Sequence, residues 1–476
     1  MAIKNITFTD WTPDQPSIVE NLSAAINVIP SAVGFNPFPL PVDYSQAASE
    51  NLNSVFAGKF STTTTVFAGG ATKLFKFDSL DLSMDDVSKS GGYSNVDRWN
   101  FTQFGNTVIA ANSINKLQAW TLGSSSAFSD LAVAAPIAKY VAVVRDFVVA
   151  ANLDAGSNPN KVQWSDINDE SDWVSGATSQ SDFQIVSDGG NITGLTGGEF
   201  GLVLLERAII RMSYIGSPFF FQFDTIAKGI GCVEGNSVAK YANVTYFLGE
   251  EGFYACDGQT VTSIGNQKVD RWFWSNANPS ALSSMSTTVD PFRKIVIWNF
   301  LNTFSQRILL IYNWQVQKWS YGTTDVNYVS NSASAGTTLE GMDLYGNMDT
   351  IQTSFDSQLY SGGKFLLAGA RGAKIVTFTG QPASARIDTG LIGSQYTSVV
   401  TLARPLVDGG SAQVAIASQV RLEQVVDFGT YTSADNENRV SLRSSGKYHK
   451  LSIIPTGDQW SNAIAIDIEM EQQGTR

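Results

Sequence analysis

Val66-Phe67-Ala68-Gly69 followed by Lys73-Leu74-Phe75-Lys76-Phe77-Asp78 is an apolar run, a short gap and a second apolar run rich in aromatics. Both runs are short, are bounded by turn residues, and lack the i, i+3, i+4 spacing of an amphipathic helix, so they read as two strands of a hairpin. The same grammar returns along the chain. It recurs at Thr107–Ala111 with Leu117–Trp120, at Asp146–Ala150 with Lys161–Ser165, and at Gly201–Leu205 with Ile209–Ser213. Further copies are Thr245–Leu248 with Gly252–Cys256, Lys294–Trp298 with Arg307–Tyr312, and Lys364–Ala368 with Ala373–Phe378. The units start roughly 40 to 50 residues apart, with one longer gap before the last, which is the period of propeller blades. A four-stranded blade cannot bury both faces alone, so blades stack around an axis and closure protects their edges. The pattern predicts an all-β fold, a β-propeller of about six blades over residues 61–380. An array of β-sandwich domains is the competing arrangement.

The flanks differ. Residues 1–60 carry Pro13, Pro16, Pro30, Pro37, Pro39 and Pro41 and read as an extended N-terminal docking segment, a strap for a neighbouring surface. On that reading, deletion of residues 1–40 spares folding. After Gly380 the aromatic-ending hairpin disappears. Ser398–Ala403, Val414–Ala417, Leu451–Ile454 and Ala463–Met470 read as strands of a C-terminal β module, residues 381–476, which either completes the first blade or packs as its own small sandwich.

The chain has 476 residues, 31 Lys plus Arg against 43 Asp plus Glu, and a net charge of −12. It holds one histidine, His449, and two cysteines, Cys232 and Cys256, with no C-x-x-C or H-x-x-x-H spacing among them. A zinc site of His and Cys ligands is disfavoured. A Ser-His-Asp apparatus would depend wholly on His449, which has no carboxylate within four residues to orient it, so a structural histidine is expected. The start lacks a secretory h-region, and the most apolar stretch, 132–153, is broken by Lys139, Arg145 and Asp146, which predicts a soluble chain with no membrane span. Buried free thiols are expected, although Cys232 and Cys256 fall near consecutive strands.

Smaller signals reduce to ordinary structure. Asn152, Asp154, Asn158 and Asn160 are oxygen-rich but lack the order of a calcium loop and read as a polar turn. Glu250 and Glu251 precede Gly252 and read as a turn rather than a glycosidase pair, because adjacent strand residues face opposite ways. Residues 194–198 lack the continuation of a phosphate loop. No metal, cofactor or catalytic residue is expected. Aromatics are 11% of the chain and cluster at Trp272-Phe273-Trp274 and at Phe219-Phe220-Phe221. Because three consecutive aromatics cannot all face one core, at least one of Phe219, Phe220 and Phe221 should leave it, which makes the three interface candidates.

A family resemblance runs through the same sequence. Asp10-Trp11-Thr12-Pro13-Asp14, then Asn27-Val28-Ile29-Pro30 and Gly34–Pro39, resemble the start of the tail hub, or nozzle, proteins of lambdoid short-tailed bacteriophages, the packaged-DNA stabilisation family. The similarity continues at Gln103–Ala110, Val162–Asp169, Ser187–Gly190 with Gly197–Gly201, Ile264–Arg271, Thr338–Asp343 and Ser445–Lys450. It covers nearly the whole chain through the order and spacing of these motifs. The resemblance implies a structural virion protein without enzymatic activity, assembled in the host cytoplasm into a six-fold homo-oligomeric ring of the viral tail. Its partners would be the adaptor (head-to-tail connector) above and a tail needle, fibre or tailspike below, with dsDNA retained behind the ring and passing non-specifically through its bore on ejection. A net negative wall suits that passage, since static DNA binding needs Lys and Arg to displace counterions. The alternative from another class is a carbohydrate-binding or glycosidase propeller.

Overall fold

Each of the seven sequence hairpins is the middle pair of a four-stranded antiparallel unit in the computed structural model, which describes residues 2–16, 21–94, 96–336 and 362–473. In the first unit the strands are Leu52–Phe60, Thr63–Gly70, Leu74–Phe77 and Met84–Asp86. Four more units follow within residues 100–130, 138–185, 192–228 and 239–263. A sixth self-contained sheet joins Tyr328–Ala333, Phe365–Arg371 and Lys374–Thr377 to Val42–Asp43. These are six free-standing blades, and the all-β propeller expected from the sequence is present.

The remaining place in the ring, between the units at 239–263 and 328–377, is taken by Ser286–Asp290, Ile295–Leu301, Arg307–Asn313 and Lys318–Thr324. Those four strands begin an additional fourteen-stranded sheet. The first strands of successive units pack against one another around the axis, and Tyr328–Ala333 returns to Leu52–Phe60 to close the circle. Middle strands such as Thr107–Ala111 and Gly201–Leu205 are buried at every position, because a blade on either side covers both faces. Aromatics fill the seams: Phe67 of the first blade meets Trp120 and Phe128 of the second with ring centroids 5.3 and 5.4 Å apart.

The large sheet continues from Lys318–Thr324 through Ala24–Ile26, Arg386–Asp388, Val440–Thr456, Ile392–Asp408 and Asn462–Gln472 to Phe35–Pro37 and Val28–Pro30. It curls back on itself. Ser320 Oγ donates to Val28 O at 2.6 Å and Asn313 Nδ2 to Pro30 O at 2.8 Å, which seals the curl around a core of Trp298, Trp319, Phe253, Phe273 and Phe300.

The C-terminal strands supply the additional β module expected from the sequence, and Ala24–Ile26 splices it to a propeller unit by pairing with Lys318–Thr324 on one side and Arg386–Asp388 on the other. One sequence expectation is corrected here. The segment read as a docking strap over residues 1–60 is built into its own chain, and the first blade already begins at Leu52. Phe8, Trp11, Leu22, Ala25, Val28 and Phe35 belong to the main core, and Ala2–Thr7 pairs antiparallel with the last strand. Prolines gave this segment the look of a free strap, yet its two- and three-residue strands find partners hundreds of residues away. Among the described residues no helix is long and apolar enough to cross a membrane.

Candidate functional site

The hairpin of the fourth unit, Ala208–Gly216 with Phe220–Lys228, separates the three aromatics singled out in the sequence. Phe221 is buried among Phe147, Trp164 and Tyr214, at centroid distances of 5.0, 5.1 and 5.7 Å. Phe220 is half-buried and holds a left-handed backbone, φ 57°, a conformation that costs a bulky residue on the order of 1–3 kcal/mol. Phe219, at the tip, is 74% exposed, and Ile215 nearby in sequence is 51% exposed. One aromatic therefore leaves the core, held out on a hairpin whose other face is anchored. Phe219→Ser is expected to change monomer stability by no more than about 0.5 kcal/mol, whereas Phe221→Ala should cost about 3–5 kcal/mol, as read by urea denaturation.

Two of the segments that carry the family resemblance, Asp10–Asp14 and Ile264–Arg271, meet in space. Asp10 forms an ion pair with Lys268 at 2.9 Å. Asp14 caps the helix Asp270–Asn276 from outside, its carboxylate accepting from Arg271 N and Trp272 N at 2.8 Å each, and Arg271 donates back to Asp14 O. Gln103 joins the first two blades by bonding Lys59 N and Lys59 O at 2.9 and 2.7 Å. Gly198 joins the third and fourth: its N–H donates to Val143 O and its O accepts from Arg145 N. These motifs are joints of the fold. Thr338–Asp343 lies outside the described residues.

His449 is fully buried in the central strand of the large sheet. Ser398 Oγ donates to Gly446 O, which leaves it to accept from His449 Nε2–H at 2.8 Å; Ser418 Oγ accepts from Ser444 and donates to Nδ1 at 2.7 Å. Both nitrogens of the neutral ring are satisfied by serines, and burial holds its pKa below the usual 6.5, with the Gly446 contact offsetting part of the effect. Because the unfolded chain binds the proton more tightly, stability is full above 6.5 and is lost as pH falls below it. His449→Gln should lose less stability than the parent over that fall, measured by thermal melts across pH.

Cys232 and Cys256 are both buried, free and in one hydrophobic cluster, with burial pushing the Cys232 thiol up to about 12. Glu250 and Glu251 sit in the turn between Val244–Leu248 and Phe253–Cys256. Asp154 accepts from Asn158 at 2.6 Å, while Asn152 and Asn160 bond to the backbone of Ile192 and Val186, so these side chains are engaged in tying down the turn. Among the described residues no group of three or more His, Cys, Asp or Glu is arranged to hold a metal.

Sequence reasoning missed a cavity of about 230 Å3 on the propeller axis. Its lining comes from the segments entering the second through seventh units, including Arg98, Asn100, Tyr140, Glu234, Asn236 and Tyr328. The lining segments are separated from one another by whole four-stranded units, so no local motif marks it.

No family model matches the chain, and no curated protein does. Among solved structures, the computationally designed Ika8 protein shares 9% identity at a TM-score of 0.35, covering 70% of this chain and 98% of that one. A chain of the Mitotic Checkpoint Complex shares 12% identity at a TM-score of 0.41, covering 72% and 92%. Likeness at this level carries no functional argument.

Proposed function

We propose that the chain is a structural subunit of a tail nozzle, or hub, ring of a lambdoid short-tailed phage or prophage, retaining packaged DNA below the portal and adaptor and conducting it outward on ejection. The observation that carries the reading is the ordered succession of motifs from Asp10 to Lys450. The meeting of two of them, Asp10 with Lys268 and Asp14 with the 270–276 helix, supports it, since segments at joints preserve an architecture. The exposed Phe219 supplies an apolar anchor of the kind that protein interfaces use.

The geometry also constrains where DNA would run. The axial cavity of one propeller, at about 230 Å3, has no room for a duplex whose major groove alone is about 12 Å wide. The conduit is therefore the axis of a ring made by several copies. A net charge of −12 per chain is compatible with a wall that does not hold phosphates.

Electron microscopy of the purified protein, alone and with its adaptor, tests the reading. The expected particle is a six-fold ring with an open bore of duplex width, and Phe219→Asp should reduce ring formation while leaving the monomer folded. A monodisperse monomer that binds sugars would overturn it in favour of a carbohydrate-binding propeller.

A further inference from the structure

The axial cavity contains a cation with no anion in contact. Arg98 lies half-buried on the cavity wall; one Nη donates to Met285 O at 2.6 Å, and the guanidinium sits 4.9 Å over the Tyr328 ring. Among the described residues these are its only close partners, so Nε and the second Nη have no protein acceptor. Asp97 and Glu234 act on Arg98 from a distance and do not pair with it. Arg307 lies near enough to repel it and donates to Ser284 O at 3.0 Å. Lys139 lines the same cavity and is exposed. Burial holds the Arg98 pKa below the usual guanidinium range.

The lining around Arg98 holds the Asp97 and Glu234 carboxylates and, beside them, further hydrogen-bond donors. Among the described residues the Tyr140 hydroxyl and the Asn100 amide N–H groups line the cavity with no protein partner, while Asn100 Oδ1 already accepts from Val141 N at 2.8 Å. Glu234 Oε1 accepts from Asn236 N at 3.0 Å, and Oε2 remains on the cavity side as an anion. What the wall presents inward is a guanidinium fork flanked by a phenol and an amide, which is the chemistry that receives an oxyanion. Asp97 and Glu234 lie close enough to repel a dianion, and the planar fork matches a planar carboxylate. A volume of about 230 Å3 is below the roughly 300–1,000 Å3 of sites for drug-sized ligands, so the occupant is small.

We infer that the axial cavity is a binding site for a small monocarboxylate, taken by the Arg98 guanidinium with Tyr140 and Asn100 as additional donors. The site belongs to a single propeller and does not depend on the ring proposed above.

The test is titration of the full chain with sodium acetate at constant ionic strength, followed by saturation-transfer NMR at the acetate methyl protons. Saturable transfer is expected, with affinity falling about ten-fold or more in Arg98→Gln and about three-fold or more in Tyr140→Phe. Absence of transfer in the parent protein would overturn the inference. So would unchanged affinity in a folded Arg98→Gln. If Arg98→Gln fails to fold, Tyr140→Phe decides, and acetate affinity equal to the parent's refutes the site. Inorganic phosphate, added as a competitor, should displace acetate poorly; displacement at equal or lower concentration overturns the monocarboxylate assignment.

Discussion

Removal of residues 2–43 leaves the chain unable to hold its fold. Phe8, Trp11, Leu22, Val28 and Phe35 are each no more than 3% exposed in the main core. At roughly 1.5–3 kcal/mol for each large apolar side chain taken from water, their loss is on the order of 10 kcal/mol. The entire net stability of a typical domain is about 5–15 kcal/mol. The same deletion strips the Asp14 cap from the 270–276 helix and removes Val42–Asp43 from the outer edge of the last blade, where Asp43 pairs with Arg371 and Lys374. Circular dichroism of the truncated chain should show no cooperative melt. A truncated protein melting like the full chain would mean that the N-terminal strands are decoration. Trp11→Ala alone should cost about 3–5 kcal/mol.

Asp270→Asn raises stability at neutral pH. The carboxyl is 8% exposed, accepts one hydrogen bond from Phe253 N at 3.1 Å, and sits where a Cβ on Gly252 or Gly265 would overlap it. Burial pushes its pKa up to about 6, partly offset by the Phe253 bond and reinforced by Asp14 and Glu251. A carboxyl whose folded pKa lies above its unfolded value of 3.8 contributes stability that is fully present below 3.8 and is lost as pH rises through about 6. The shift corresponds to roughly 3 kcal/mol of penalty at pH 7. The amide avoids that penalty. Thermal melts should show Asp270→Asn ahead of the parent at pH 7.5 and level with or behind it near pH 4, where the parent carboxyl is neutral. A variant destabilised equally at both pH values would show that the ionised form is favoured inside the fold. The His449 effect runs the other way with pH, so the two are separated by comparing each variant with the parent.

The seven hairpins were legible because the second strand of each unit is buried on both faces along most of its length. Ile295–Leu301, for example, is buried at six consecutive positions, and such a run announces itself without context. The outer strands were not legible. Ser129–Asp130 and Val261–Ser263 are short, polar and largely exposed, so they look like loops until a neighbour pairs with them. The same holds for Ala24–Ile26 and Phe35–Pro37, where three residues are too few for alternation and the prolines suggest an unpaired path. Trp272-Phe273-Trp274 read only as an aromatic cluster, because the helix that contains it spans seven residues and takes its cap from Asp14. Of the interface candidates, the sequence showed that one phenylalanine had to leave the core, but not which. That was decided by the pairing of Tyr214 with Phe221 and the backbone turn at Phe220. The axial cavity left no trace, since it is assembled from six separate segments.

The pairing of Ala2–Thr7 with the final strand has a consequence for how the protein is made. Asn5 donates to Asp467 at 2.6 Å across 462 residues of sequence, so the first strand leaves the ribosome long before its partner exists. At about 5–20 residues per second, the wait is roughly 20–90 s. During that interval Phe8, Trp11 and Phe35 have no core to enter, and the blades of residues 52–263 can form around an open ring. Closure is then a late event that joins segments more than 450 residues apart in one step. A ribosome-bound chain stalled before residue 380 should expose its N-terminal tryptophan to quenchers and proteases, and release of the full chain should hide it.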